Sequence, residues 1–211
     1  TGRLRWSNPR RAARLLLAFA RAERSSHYDM LAAANGCISI TRRALYLAHA
    51  RDEALHAQLF MLRARELASA ALPAGEPQPD FEHLFEQLGE LRFLAFVHAG
   101  EVRGQRQLTL YRDELAARGD HKSRALFDAV LRDEAQHVQY TQEQLQLVAG
   151  SERELQRALL FARSWELWRS WRRLGRTLAT VVFNAAMYVV YVCLAPLAWL
   201  EQRNARKPGQ P

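Results

Sequence analysis

Apolar residues recur at the three- and four-residue spacing of amphipathic helices over the first 150 positions of the chain. Asn35-Gly36 and Gly119-Asp120 interrupt this pattern with residues that commonly end helices. The pattern predicts four long helices, over residues 9–34, 39–71, 80–118 and 121–148. Because the link inside each pair of helices is short, their lengths favour an antiparallel four-helix bundle.

The remaining residues follow a different pattern. Ser151 can form a capping box with Glu154, which predicts the start of a fifth helix. Its sequence SWELWRSWRRLGR, at 164–176, places tryptophans among arginines, and the 24 residues from Thr177 to Leu200 then carry no charge. We therefore predict two domains, a bundle at 1–150 and, at 151–211, an amphipathic Trp/Arg-rich helix followed by a hydrophobic membrane anchor.

Membrane attachment is the interpretation that we favour for residues 177–200. As a helix, these 24 residues are long enough to cross a bilayer, and the adjacent tryptophans and arginines are typical interfacial anchors. A helix buried against the bundle is one alternative. Asn184 and Pro196 are unusual in a simple spanning helix, so an interfacial or re-entrant segment is a second alternative. More basic residues precede the segment than follow it, so the positive-inside tendency predicts a bundle on the cytoplasmic side.

The composition favours helices over sheets. Of 211 residues, 49% are hydrophobic, whereas only 10 are glycine and 7 are proline. The net charge is +8, but no zinc-finger spacing, phosphate-binding glycine loop or aromatic-interleaved basic stretch supports a nucleic-acid partner. Cys37 and Cys193 are the two cysteines, and their separation argues against a disulfide framework or a cysteine-based metal site.

One six-residue motif occurs twice, as RDEALH at 51–56 and as RDEAQH at 132–137. Each copy holds Glu-x-x-His, which places a carboxylate and an imidazole on one helix face. A glutamate follows an apolar stretch on the preceding helix in each half, 30 residues before Glu53 and 33 residues before Glu134. The chain therefore reads as two copies of one unit, a helix with Glu and then a helix with Glu-x-x-His.

Packing these units around a pseudo-twofold axis directs four carboxylates and two imidazoles into one core. Such a cluster is costly to bury unless cations neutralise it, and its donors suit iron or manganese. This pattern resembles the ferritin-like di-iron carboxylate superfamily over roughly residues 9–149, and it implies an all-α, ferritin-like four-helix bundle. The implied metal ligands are Glu23, Glu53, His56, Glu101, Glu134 and His137.

The resemblance also implies roles for these ligands. Glu53 and Glu134 would bridge two metals, Glu23 and Glu101 would be terminal ligands, and each histidine would bind one metal. The implied cofactor is two iron ions, with Mn/Fe left open, and we assign no catalytic residue beyond the ligands. The alternative is a metal-free bundle whose acids face solvent and form salt bridges.

Other polar residues lie at spacings that direct them toward this cluster. Asp52 and Asp133 precede the Glu of each motif, where an acid can orient an imidazole on a neighbouring helix; a surface ion pair with the adjacent arginine is the alternative. His49 and His98 can face the site, and we favour a hydrogen-bonding or core role for both. Tyr46, Tyr111 and Tyr140 are interpreted as packing residues.

Two functions follow from the resemblance. The first is a di-iron oxidase or monooxygenase that uses O₂ and an external electron donor on an apolar, membrane-associated lipid or quinone, similar to the hydroxylases of ubiquinone synthesis. The second is an iron-handling or peroxide-detoxifying protein similar to ferritin or rubrerythrin. The anchor favours the first, because a ferritin shell leaves no room for it and no rubredoxin-type Cys-x-x-Cys is present. We expect a membrane-associated enzyme, and a homodimer is one possible oligomeric state.

Overall fold

The structure is a computed structural model that describes residues 8–68 and 83–205. Within these ranges every element is an α-helix, which confirms the predicted all-α class. The helices are α1 (Pro9–Gly36), α2 (Ile40–Leu67), α3 (Leu84–Leu88), α4 (Glu90–Ala117), α5 (His121–Val148) and α6 (Glu152–Ala205). Four of them, α1, α2, α4 and α5, have 28 residues each and match the four predicted long segments.

Side-chain caps define where several helices begin. Asn8 accepts a hydrogen bond from the Arg10 backbone N–H at 2.9 Å, and Asp120 accepts one from the Ser123 N–H at 3.0 Å. Such caps satisfy backbone donors that have no partner inside the helix. At α6, Ser151 Oγ accepts from the Glu154 N–H at 3.3 Å, as the predicted capping box requires. The Glu154 carboxylate accepts from the N–H of Gly150 at 2.9 Å, one residue before the N-cap residue whose N–H a capping box would use.

The third predicted helix is interrupted. Residues 84–88 form the short helix α3, and Gly89 separates it from α4 with a φ of 71°. Such a positive φ is easy for glycine and ends the regular helix there, so the prediction of one continuous helix was wrong at this point. α2 ends at Leu67, slightly before the predicted boundary. The predicted N-cap Asp80 lies outside the described residues.

The four 28-residue helices share one apolar core. Phe19 of α1 stacks on Phe60 of α2, with ring centroids 5.3 Å apart, so the early part of α1 meets the late part of α2 as in an antiparallel pair. Phe60 also meets Phe127 of α5 edge-on at 5.5 Å. The buried members of this core are Ala12, Leu16, Leu17, Ala20, Phe60, Ala64, Leu108, Leu115, Phe127 and Val130.

A second apolar layer lies further along the same helices. Tyr46 of α2 and Phe93 of α4 are both fully buried, and their ring centroids are 6.4 Å apart. Phe85 of α3 contacts Phe93 at 5.3 Å. A Cβ on Gly36 would lie only 2.9 Å from the Phe85 ring, so glycine at the end of α1 allows α3 to approach closely. The polar positions of the two motifs fall between these two layers.

The described residues form two compact units, one that ends at Arg163 and one that begins at Ser164. The first turns of α6 belong to the first unit, where Ala158 and Ala162 are buried. The boundary predicted at residue 150 stays a prediction about domains, but these two alanines show that the core extends beyond it.

α6 has 54 residues, and over the described part of the chain it is the helix long and apolar enough to cross a membrane. Its apolar side chains between residues 178 and 194 are all exposed, among them Phe183 at 64% and Tyr188 at 68%. A helix that is apolar on every face needs an apolar surrounding. Length, composition and exposure are therefore compatible with a membrane span.

Candidate metal centre

The six predicted ligands meet in the middle of the four long helices. Possible ligand atoms, one from each residue, form two sets. Within each set all of these atoms lie within 4.8 Å of one another. We call the first set, Glu23, Glu53, His56 and Glu134, the one-histidine group. The second set, His49, Glu53, Glu101 and His137, is the two-histidine group. Glu53 belongs to both, so the two groups are adjacent and share a carboxylate.

Helix geometry explains this convergence. Glu53 and His56 lie three residues apart on α2, and Glu134 and His137 do so on α5, so each pair occupies one helix face. α1 and α4 contribute one glutamate each. Every predicted ligand except Glu23 is at most 8% exposed, and Glu23 is half-buried. The alternative in which these acids face solvent is therefore wrong for the three buried glutamates, Glu53, Glu101 and Glu134.

Each motif histidine is held by an aspartate of the other motif. His56 Nε2 lies 3.1 Å from Asp133 Oδ2, and His137 Nε2 lies 3.2 Å from Asp52 Oδ2. A carboxylate only accepts hydrogen bonds, so each contact keeps a proton on Nε2 and leaves the lone pair on Nδ1. The predicted contact of each aspartate with an imidazole on a neighbouring helix is thereby confirmed.

The inner nitrogens point toward carboxylates of the cluster. His56 Nδ1 lies 3.6 Å from Glu134 Oε1, and His137 Nδ1 lies 3.7 Å from Glu53 Oε1. Both nitrogens, together with Glu53 Oε2, are buried without a hydrogen-bond partner. Leaving such a group unsatisfied costs about 1–3 kcal/mol. A cation would use these three atoms as ligands, so the donors present fit a metal ion.

The carboxylates affect each other's ionisation strongly. Burial, followed by the charge of Glu101, raises the pKa of Glu134 to about 11. Burial also raises the pKa of Glu53 well above its ordinary range. At Glu101 burial acts in the same direction, but the hydrogen bond and charge of His49 outweigh it and lower the pKa to about 2. Without a cation, therefore, the cluster carries far less negative charge than its number of acids suggests.

His49 lies closer to the centre of the site than the sequence analysis predicted. Its Nε2 lies 2.8 Å from Glu53 Oε1 and 3.5 Å from Glu101 Oε1, inside the two-histidine group. The four-residue spacing to Glu53 did place His49 on the correct helix face, but spacing alone cannot separate a hydrogen-bonding residue from a ligand. His98 lies outside both groups, with its Nδ1 3.0 Å from Thr141 Oγ1.

Tyr140 also differs from its predicted packing role. Its hydroxyl lies 2.5 Å from His49 Nδ1, so it forms a hydrogen bond directly behind the site. Burial raises the pKa of Tyr140 well above its ordinary value, which keeps the hydroxyl protonated. Tyr46, by contrast, lies in the second apolar layer, and its hydroxyl is 3.0 Å from Glu90 Oε1.

Comparison of the chain with protein-family models, with curated proteins and with solved structures gives no match. The class of the protein therefore rests on its own residues. It is an all-helical protein with buried His/Glu groups that could hold a metal ion. This arrangement is compatible with a ferritin-like di-iron site.

Proposed function

We propose that this protein is a membrane-attached di-iron oxidase or monooxygenase with a ferritin-like four-helix bundle, which acts with O₂ on an apolar, membrane-associated lipid or quinone. The observation that carries the proposal is the pair of adjacent buried groups that share Glu53. Glu53 would therefore be among the donors to both cations. The order of the ligands on the four helices, Glu then Glu-x-x-His in each half, supports the ferritin-like assignment.

The donor types support iron. Carboxylate oxygen and imidazole nitrogen together suit iron and manganese, and no cysteine lies in either group. When bound, two iron ions would supply the capacity to activate O₂ with electrons from an external donor. The residues of the chain would hold this cofactor: glutamates neutralise its charge, and Asp52 and Asp133 keep the ligand histidines in one orientation.

Two glycines of α4 lie next to the candidate ligand Glu101 and three residues after it, at positions 100 and 104. A Cβ on Gly100 would meet no atom within 4 Å, and one on Gly104 would meet only the Glu134 carboxylate, at 3.8 Å. The absence of a side chain at Gly104 leaves space beside the Glu134 carboxylate. We propose that O₂ and part of the substrate reach the site along this side of α4.

The apolar part of α6 supports a membrane-derived substrate. Its exposed side chains, such as Val182 and Tyr188, would be covered by lipid, and Trp168 and Arg172 would lie at the interface. Arg172 stacks over Trp168, with its guanidinium carbon 4.7 Å from the ring centroid. Such an anchor would attach the protein to the bilayer in which an apolar substrate is dissolved. The cytoplasmic side remains part of this proposal.

The test compares a host that lacks the protein with the same host complemented by wild type, Glu134→Ala or Glu143→Ala. Glu143 is the matched control, because it is an exposed glutamate on the same helix α5. Lipids and quinones are compared by mass spectrometry after aerobic and anaerobic growth. We expect one hydroxylated or desaturated species to require oxygen and to be restored by wild type and Glu143→Ala but not by Glu134→Ala.

An unchanged lipid and quinone profile would contradict this function. If the same strains then differ in sensitivity to iron or peroxide, the iron-handling or peroxide-detoxifying alternative is the better description. Metal analysis of purified wild type is the accompanying measurement. Two irons per chain are expected, and a protein that binds no transition metal would exclude both functions.

A further inference from the structure

We propose that His49 is a seventh metal ligand and that the two metal positions are therefore chemically different. The two-histidine group would offer two imidazoles and two carboxylates, whereas the one-histidine group offers one imidazole and three carboxylates. This inference rests on the proposed function only in requiring that the centre binds metal.

The first support is the position of the His49 side chain. It is completely buried, and its Nε2 approaches carboxylates from two different helices, Glu53 on α2 and Glu101 on α4. Its ring is stacked on that of His137, with centroids 3.7 Å apart and planes 21° apart. Two imidazoles thus lie side by side against the same carboxylates, which is the arrangement in which both can bind one cation.

The second support is the partner of the outer nitrogen. Histidine ligands normally need a hydrogen-bond partner for the nitrogen that does not bind metal. Asp133 and Asp52 serve His56 and His137 in this way, and Tyr140 serves His49. All three imidazoles of the cluster therefore have one nitrogen held from outside and the other directed at the carboxylates.

The chemistry of Tyr140 permits His49 to change role. A tyrosine hydroxyl both donates and accepts hydrogen bonds, unlike the carboxylates behind the other two histidines. Without metal, His49 Nε2–H can donate to Glu53 while Nδ1 accepts from Tyr140. With metal, Nδ1–H donates to the Tyr140 oxygen and the Nε2 lone pair binds the cation. The contact between His49 and Tyr140 is therefore kept in both states.

The different donor sets predict different affinities. Imidazole-rich sites favour the later divalent ions such as Co²⁺, whereas carboxylate-rich sites suit harder ions such as Mn²⁺. The first equivalent of Co²⁺ is therefore expected in the two-histidine group. Removing His49 should weaken that position and leave the other unchanged.

The experiment uses the full-length protein in detergent, freed of metal with a chelator and titrated with Co²⁺. Wild type is compared with His49→Gln and with His98→Gln, a matched control because His98 is a half-buried histidine outside both groups. Bound cobalt is measured by equilibrium dialysis and its geometry by the visible spectrum. We expect His49→Gln to weaken the first equivalent at least about tenfold and to alter its spectrum, and His98→Gln to leave both unchanged.

A measurement on wild type alone covers the case in which His49→Gln fails to fold. X-ray absorption of the one-equivalent cobalt protein counts the imidazoles on the ion, and two are expected. One imidazole per cobalt, or a His49→Gln titration identical to wild type, would overturn the inference and leave His49 as a hydrogen-bond donor to Glu53. Failure of the proposed metal centre is distinguishable, because wild type itself would then bind no cobalt.

Discussion

At the scale of single residues, the organising feature is the exchange of partners between the two motifs. The aspartate of each motif contacts the histidine of the other, so a sequence duplicated along the chain becomes one symmetric hydrogen-bonded unit across α2 and α5. These contacts set the tautomers of His56 and His137 before any cation binds. Preset orientation of this kind lowers the cost of assembling a metal site.

Asp133→Asn should weaken metal binding about 10- to 100-fold, because an amide can present its N–H to His56 and no longer fixes the required tautomer. Asp128→Asn is the control, since its carboxylate lies on the same helix and is 38% exposed, against 39% for Asp133. Affinity is measured by competition with a chromophoric chelator. Equal affinities for the two variants would contradict the orienting role of Asp133.

Metal affinity should rise with pH. Burial and the charge of Glu101 raise the pKa of Glu134 to about 11, so below that pH a cation must displace its proton. Burial lowers the pKa of His137 to about 4, so this ligand is already neutral near pH 7 and adds no competition. For each proton that the cation displaces, the metal affinity rises about tenfold when the pH rises by one unit. Chelator competition at pH 6, 7 and 8 measures this slope, and a flat profile would show that the carboxylates are already ionised.

At the scale of elements, close helix contacts depend on particular small residues. Gly36 ends α1 directly against the ring of Phe85 in α3. Gly100 lies inside α4 with open space where its side chain would be. The same chemical change at these two glycines therefore has opposite consequences.

Gly36→Ala should destabilise the protein by about 1–3 kcal/mol, because the new Cβ would lie 2.9 Å from two ring carbons of Phe85. Gly100→Ala should instead stabilise α4 by about 0.5–1 kcal/mol, since alanine favours the helix and meets nothing. Thermal unfolding of both variants, followed by circular dichroism, gives the sign of each effect. A lowered melting temperature for both would mean that the space beside Gly100 is filled in solution.

At the scale of the whole molecule, α6 takes part in both compact units. Its first turns contribute Ala158 and Ala162 to the interior of the first unit, whereas the side chains between residues 178 and 194 are exposed. The candidate metal ligands all lie before α6. Membrane attachment and metal binding should therefore be separable.

A chain ended after Arg163 should be soluble and should bind the same amount of metal as the full-length protein. The cut retains Ala158 and Ala162, and it removes the uncharged segment that we assign to the membrane. Fractionation of cells followed by metal analysis of the purified fragment measures both properties. A fragment that stays in the membrane fraction would contradict the assignment of the anchor to α6.

The sequence by itself determined the helical class, the four long helices and the six candidate ligands. These features depend on local periodicity and on spacing along one helix, which Glu53 and His56 illustrate. Helix ends were also predictable where a capping side chain lies next to the first turn, as at Ser151.

Only the tertiary structure decided the features that depend on distances between helices. It brought Asp52 to His137 and placed His49 between carboxylates of α2 and α4, which no spacing along one helix can reveal. It also interrupted the third predicted helix at Gly89, because a glycine with positive φ lets α3 turn and pack its Phe85 against α1. Residues far apart in the chain meet through the packing of whole helices, and their partners are set by that packing.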